Sequence, residues 1–146
     1  WEVAAYEANR RLLKAIRPDF VVLGSGDEHL LTSYIIGSEG SQVSLAALAP
    51  ELLVALYDKA AAGDWAGARD VHDLIYPLAV AIYRDAPGGR ATVRLKAALH
   101  RLGRLACDAA RPPQPPASAE ELDRLETAMR TAGIDLHAAR EHRGAA

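Results

Sequence analysis

The chain has 146 residues, half of them apolar and a quarter charged, with a formal net charge of −2. This is ordinary globular composition, long enough for one domain with a real core, and the charge argues for neither a nucleic-acid nor a membrane partner. Cys107 is the only cysteine, which excludes a disulfide framework and a thiolate metal cluster and fits a reducing, cytoplasmic setting. We read no signal-peptide pattern and no apolar run of membrane-spanning length. Met129 is the only methionine and Trp1 the first residue, so the N-terminus is read as processed or as lying after the true start.

Residues 1–16 place Val3, Tyr6, Leu13 and Ile16 near one face at helical spacing. Arg10, Arg11 and Lys14 fall late, where cations suit a helix C-terminus, and Pro18 stops the helix. "FVVLG" (20–24) is short and continuously apolar, the pattern of a strand buried on both faces. Asp27 can cap a helix over about 28–36, which Gly37 ends. "SQVSL" (41–45) is a second, weaker strand candidate. The next helix has Pro50 at its first turn and Gly63 past its end.

Asp64 then caps a long helix whose apolar stripe is Val71, Ile75, Leu78 and Ile82, with Pro77 expected to kink it. "APGG" makes a turn before a helix over about 91–102. "RPPQPP" (111–116) reads as an extended linker. "SAEE" (118–121) has capping-box form and opens a last helix to about Thr131. Short strands separated by helices imply a parallel sheet with right-handed crossovers. Two strands alone leave backbone groups unpaired, so the chain reads as part of a larger α/β unit.

The stretch "DFVVLGSGDEHLLTSYIIGSEGSQVSLAALAPELLVALYDKAAAGDWAGARDVHDLIYPL" (19–78) carries an ordered set of features. A strand ends in Gly26-Asp27, and Gly37 and Gly40 precede the next strand. "APEL" opens a helix, and Tyr76-Pro77-Leu78 closes the segment. Further on, "RLKAALHRLG" (94–103) and "RPPQPPASAEELDRLETAMRTAGI" (111–134) continue the series. Together these resemble the C-terminal half of the dihydrodipicolinate synthase / N-acetylneuraminate lyase family.

That resemblance implies an α/β fold: the last two strands of a partial (β/α)₈ TIM barrel with their helices over 1–63, an appended α-helical region over 64–135, and a flexible tail over 136–146. It also implies class I aldolase chemistry. A strand lysine forms a Schiff base with pyruvate or another 2-oxo acid, and the iminium draws electrons from the adjacent carbon without a metal or cofactor. A tyrosine on an earlier strand shuttles the proton.

All three lysines here, Lys14, Lys59 and Lys96, fall in expected helices. The resemblance puts the reactive lysine just before Trp1, so no catalytic residue is expected in this chain and the fragment alone is expected to be inactive. Residues 88–96 depart from the Asn-Pro-Ile-Pro-Val-Lys pattern of dihydrodipicolinate synthases proper, so the substrate is named no more closely than a 2-oxo acid. The expected partners are the remaining half of the barrel and further copies in a dimer or tetramer.

Barrel active sites form at the C-terminal ends of the strands. On that mapping Gly26 lets the backbone approach a bound acid and Asp27 begins the next helix. Gln42 and Ser44 supply the matching rim on strand eight. Each has a plainer reading: a turn glycine, a helix cap, polar side chains packed inside a barrel. Tyr34 and Tyr57 read as helix packing.

Between Arg90 and Arg104 lie five cations and no acid. On a helical wheel Arg90, Arg94 and Arg101 cluster away from the leucines, which reads as a solvated face. The histidines, His137 and His142 included, show no metal spacing, and Cys107 has no partner histidine, so neither a metal site nor a catalytic thiol is expected. The competing readings are a non-catalytic helix-rich interaction module, an inactive family relative, and a flavodoxin-type α/β fold that would need more strands.

Overall fold

The computed structural model describes residues 3–136. In chain order these form α1 (Val3–Ile16), a 3₁₀ turn (Asp27–His29), α2 (Leu30–Ile35), a second 3₁₀ turn (Ser44–Ala47), α3 (Pro50–Ala61), α4 (Trp65–Tyr83), α5 (Ala91–Arg101) and α6 (Ala119–Thr131).

Local chemistry sets most of these boundaries. Pro50 occupies the first turn of α3, where its missing N–H costs nothing. Gly63 takes φ 74° after α3, a left-handed conformation that favours glycine. Asp64 then caps α4 by accepting the Gly67 amide at 2.9 Å. Pro77 lies inside α4, and the helix continues through it to Tyr83. Ser118 and Glu121 form a full capping box on α6. The Ser118 hydroxyl accepts the Glu121 amide at 3.2 Å, and the Glu121 carboxylate accepts the Ser118 amide at 2.9 Å.

One apolar core runs from α2 through α6. Leu30, Leu45, Leu56, Ile75, Leu78, Ile82 and Met129 are wholly buried in it. The stripe expected on α4 is there: Ile75, Leu78 and Ile82 form its centre, and Val71 packs partly buried beside them. Removing a side chain of this kind costs about 2–5 kcal/mol.

Three expectations need correction. The first concerns the strands. Among the described residues neither 20–24 nor 41–45 forms one, so the described architecture is helical rather than α/β. Their pairing is a single parallel bridge between Gly24 and Ser41. The Gly24 amide donates to Gly40 O at 2.8 Å and the Gln42 amide to Gly24 O at 3.3 Å. An isolated pair of short segments leaves most of its backbone groups without a sheet partner and is marginal as a ladder. With one neighbour each, 20–24 stays irregular and 44–47 coils into a 3₁₀ turn.

The second concerns the arginines. Arg94 is 1% exposed and Arg90 7% exposed, so this is no solvated face. Glu121, 3% exposed, lies between them. Arg94 Nε donates to Glu121 Oε1 at 2.9 Å, and Arg90 meets both oxygens at 2.8 Å. The surplus donors go to carbonyls: Arg94 to Pro87 O at 2.8 Å, Arg90 to Pro116 O at 2.9 Å. The cluster thereby ties α5, α6, the turn before α5 and the proline linker together. Of the three arginines only Arg101 stands in solvent, paired with Glu126 at 2.8 Å.

The third concerns α1, whose expected apolar face is not covered. None of its residues is buried; Tyr6 is half-buried, while Val3, Leu13 and Ile16 are exposed.

Candidate functional site

The site expected from sequence lies where the loop after the Gly24–Ser41 bridge meets the turn at Ser44. Gly24 is held against α2 so closely that a Cβ there would meet Ser33 Cβ at 2.8 Å. Gly26 follows at φ 85°, which favours glycine. The parallel bridge sets these residues beside Gln42 and Ser44. Gly26 is half-buried, and Gln42 and Ser44 are exposed.

Asp27 does not cap the helix that follows. The α2 segment begins through a 3₁₀ turn with no side-chain cap. The carboxylate turns inward instead and is almost fully buried. Its Oδ1 accepts the Leu45 amide at 2.8 Å and the Tyr83 hydroxyl at 3.3 Å. Two long-range donors have displaced the local capping role. Burial pushes the Asp27 carboxyl above its ordinary pKa, and the Leu45 amide and Tyr83 hydroxyl pull part of that back. Burial, followed by the nearby Asp27 charge, pushes the Tyr83 phenol up to about 12, so the phenol keeps its proton and donates it.

Beside this pair, buried Glu28 is joined to Arg84. Burial alone would raise the Glu28 carboxyl, but its own backbone amide and the Arg84 guanidinium outweigh it and hold the group below its usual value. Sequence reasoning named neither Tyr83 nor Arg84 as part of this site. Both are 56 residues from their partners, and nothing local marks them.

Tyr34 and Tyr57 pack as expected. Their rings meet edge to face with centroids 5.6 Å apart, and the Tyr34 hydroxyl bonds Ser41 Oγ at 2.9 Å. They line a cavity of about 280 Å³ with Ser41, Val43, Pro50 and Leu53.

The lysines lie elsewhere. Lys14 pairs with Glu39 at 2.7 Å and Lys59 with Asp64 at 2.8 Å, while Lys96 Nζ donates to Ala109 O. The Asp64 hydrogen bond holds Lys59 above its ordinary pKa, the opposite of what an amine nucleophile needs. Among the described residues no three His, Cys, Asp or Glu converge on a metal position, and no helix is long and apolar enough to cross a membrane. His137, His142 and most of the expected tail lie outside the described residues.

With this geometry in hand, comparison with known proteins gives one consistent result. Residues 3–132 match the model of the dihydrodipicolinate synthetase family. The chain is 30% identical over 121 residues to the 4-hydroxy-tetrahydrodipicolinate synthase of Methanopyrus kandleri, an alignment covering 83% of this chain and 38% of that protein. It is 35% identical over 66 residues to a protein described as a probable 2-dehydro-3-deoxy-D-pentonate aldolase of Escherichia coli, covering 45% of this chain and 22% of that one.

Among solved structures, the dihydrodipicolinate synthase of Thermotoga maritima superposes with a TM-score of 0.81 at 24% identity, over 92% of this chain and 44% of that one. A prophage protein of the dihydrodipicolinic acid synthase family from Escherichia coli K12, solved in complex with pyruvate, superposes at 0.77 with 25% identity and the same coverage. The chain belongs to the dihydrodipicolinate synthetase family. It spans less than half the length of these relatives.

Proposed function

We propose that this chain is the closing portion of a (β/α)₈ barrel, part of a class I Schiff-base lyase or aldolase acting on pyruvate or another 2-oxo acid. On this reading residues 1–63 complete the barrel, 64–135 form an appended helical region, and 136–146 are a tail. The reactive lysine lies upstream of these residues, and the working enzyme is a dimer or tetramer.

The observation that carries the reading is the family match over residues 3–132. The state of the lysines agrees with it. A Schiff-base amine must be able to lose its proton beside the substrate carbonyl. Lys14 and Lys59 are instead held by carboxylates at the surface, and Lys96 by a backbone carbonyl. The likeness to a pyruvate-bound relative supports the substrate class.

In this account Gly26, Asp27, Gln42 and Ser44 contribute the substrate-side rim. Gly26 lets the backbone come close to the acid. Gln42 and Ser44 offer polar groups to its oxygens. Asp27 fixes the loop from behind, through its bonds to Leu45 and Tyr83.

The test is reduction with borohydride in the presence of pyruvate, applied to the full-length protein. We expect a stable adduct on a lysine other than these three. A folded full-length protein that gives none rejects the lyase reading in favour of an inactive relative or an interaction module.

A further inference from the structure

Tyr83 reaches the rim from the appended helices. It lies in the last turn of α4, yet its hydroxyl donates to Asp27 Oδ1 across 56 residues of sequence, at 3.3 Å. Asp27 Oδ1 also accepts the Leu45 amide at 2.8 Å. One phenol and one carboxylate oxygen thus join three separate segments: the loop carrying Gly26, the turn carrying Ser44, and the end of α4. Arg84, the next residue, makes a second tie to the same loop through Glu28. Both carboxylates are nearly buried, although Arg84 itself is exposed, so the Asp27 bonds are the better shielded of the two ties.

The ring of Tyr83 packs partly buried against the core. Phenylalanine would fill that space equally well, and a half-buried hydroxyl is costly unless it is bonded. The hydroxyl is therefore explained by what it holds rather than by what it fills.

We propose that Tyr83 is a positioning residue for the substrate rim. Through Asp27, which also holds the Leu45 amide, it fixes the spacing between the Gly26 loop and the Ser44 turn, so the appended helices set how well the rim binds its 2-oxo acid. The inference rests on the Schiff-base reading above. Loosening the rim removes binding that ground state and transition state share, so the effect falls on KM rather than on kcat.

The experiment is steady-state kinetics on the full-length protein carrying Tyr83→Phe, Asp27→Asn or both, with amide exchange measured at Leu45. Tyr83→Phe keeps the ring and the packing. It raises KM for pyruvate about five-fold with kcat within about two-fold, and Leu45 exchanges faster. The double variant raises KM no further than Asp27→Asn alone, because both act through one bonded unit.

An unchanged KM and unchanged Leu45 exchange in Tyr83→Phe overturn the proposal. So do factors that multiply independently in the double variant, or a fall in kcat at constant KM. A wild-type protein that traps no pyruvate overturns the Schiff-base reading and this inference with it. A wild type that traps pyruvate, beside a Tyr83→Phe variant that matches it, overturns this inference alone.

Discussion

The packed helices α4–α6 and the stretch from Val3 to Leu23 differ in how much of their apolar surface finds cover: α4 leaves Trp65, Leu74 and Tyr76 exposed but seats an inner stripe, whereas the stretch from Val3 to Leu23 buries little. The first belongs to one core shared with α2 and α3: Ile75, Leu78, Ile82, Val93, Leu125 and Met129 are buried, and even the ion pairs of Arg90 and Arg94 with Glu121 are enclosed. The second leaves Leu12, Ile16, Phe20, Val21 and Leu23 exposed. Its charges pair at the surface, as Lys14 does with Glu39 and Arg17 with Asp19, where a pair is worth at most about 1 kcal/mol. A region whose caps and counter-ions are its own can settle within the chain. A region built around strands depends on neighbours, and the uncovered side chains of 3–23 are the face where our proposal seats the rest of the barrel.

The largest expected effect is at Glu121. Glu121→Ala leaves two buried guanidinium groups without their shared carboxylate and removes half of the α6 capping box. We expect a loss of about 3–5 kcal/mol, read by denaturant unfolding. A loss below about 1 kcal/mol would mean that α4–α6 is not held by this cluster.

The same carboxylate gives a pH prediction. Arg90 first, then the Ser118 amide and Arg94, outweigh burial and hold Glu121 at about 2 against an ordinary 4.5. A folded pKa below the unfolded one stabilises the fold above the unfolded value, and that contribution is lost as pH falls through the folded one. We expect α4–α6 to lose about 2 kcal/mol between roughly pH 4.5 and 2, and Glu121→Gln to remove that dependence. The same pH slope in both proteins would contradict it.

Phe20 tests the other side of the comparison. At 46% exposed it looks dispensable. If the remaining barrel covers it, Phe20→Ala in the full-length protein costs about 2 kcal/mol or more. A cost within about 0.5 kcal/mol, as for an ordinary surface position, would mean the face stays open. The smallest effect is Asp64→Ala, which removes the α4 cap and should cost about 1 kcal/mol of thermal stability.

What could be read in the sequence was the chemistry that acts over a few residues. Pro50, Gly63, Asp64 and the Ser118–Glu121 box each mark a boundary by satisfying or omitting a backbone bond nearby, and each lies where expected. The family, too, was legible, because its features are ordered along the chain. The misreadings were non-local. The wheel reads Arg90 and Arg94 as a solvated face, but both are buried, because their acid comes from α6, where Glu121 reads in sequence only as a cap residue. Asp27 obeyed the spacing rule for a cap and was then captured by Leu45 and Tyr83. The stretch at 20–24 has the residues of a strand, but strand formation is a property of pairs. No local pattern could have named Tyr83, because a tyrosine in an apolar helix face reads as packing.

If this chain closes a Schiff-base barrel as proposed, the reactive amine lies outside these residues. Peptide mapping of the full-length protein after borohydride reduction with pyruvate tests this most directly. We expect one modified lysine, with Lys14, Lys59 and Lys96 unmodified. Modification at any of those three, or at no lysine, would contradict it.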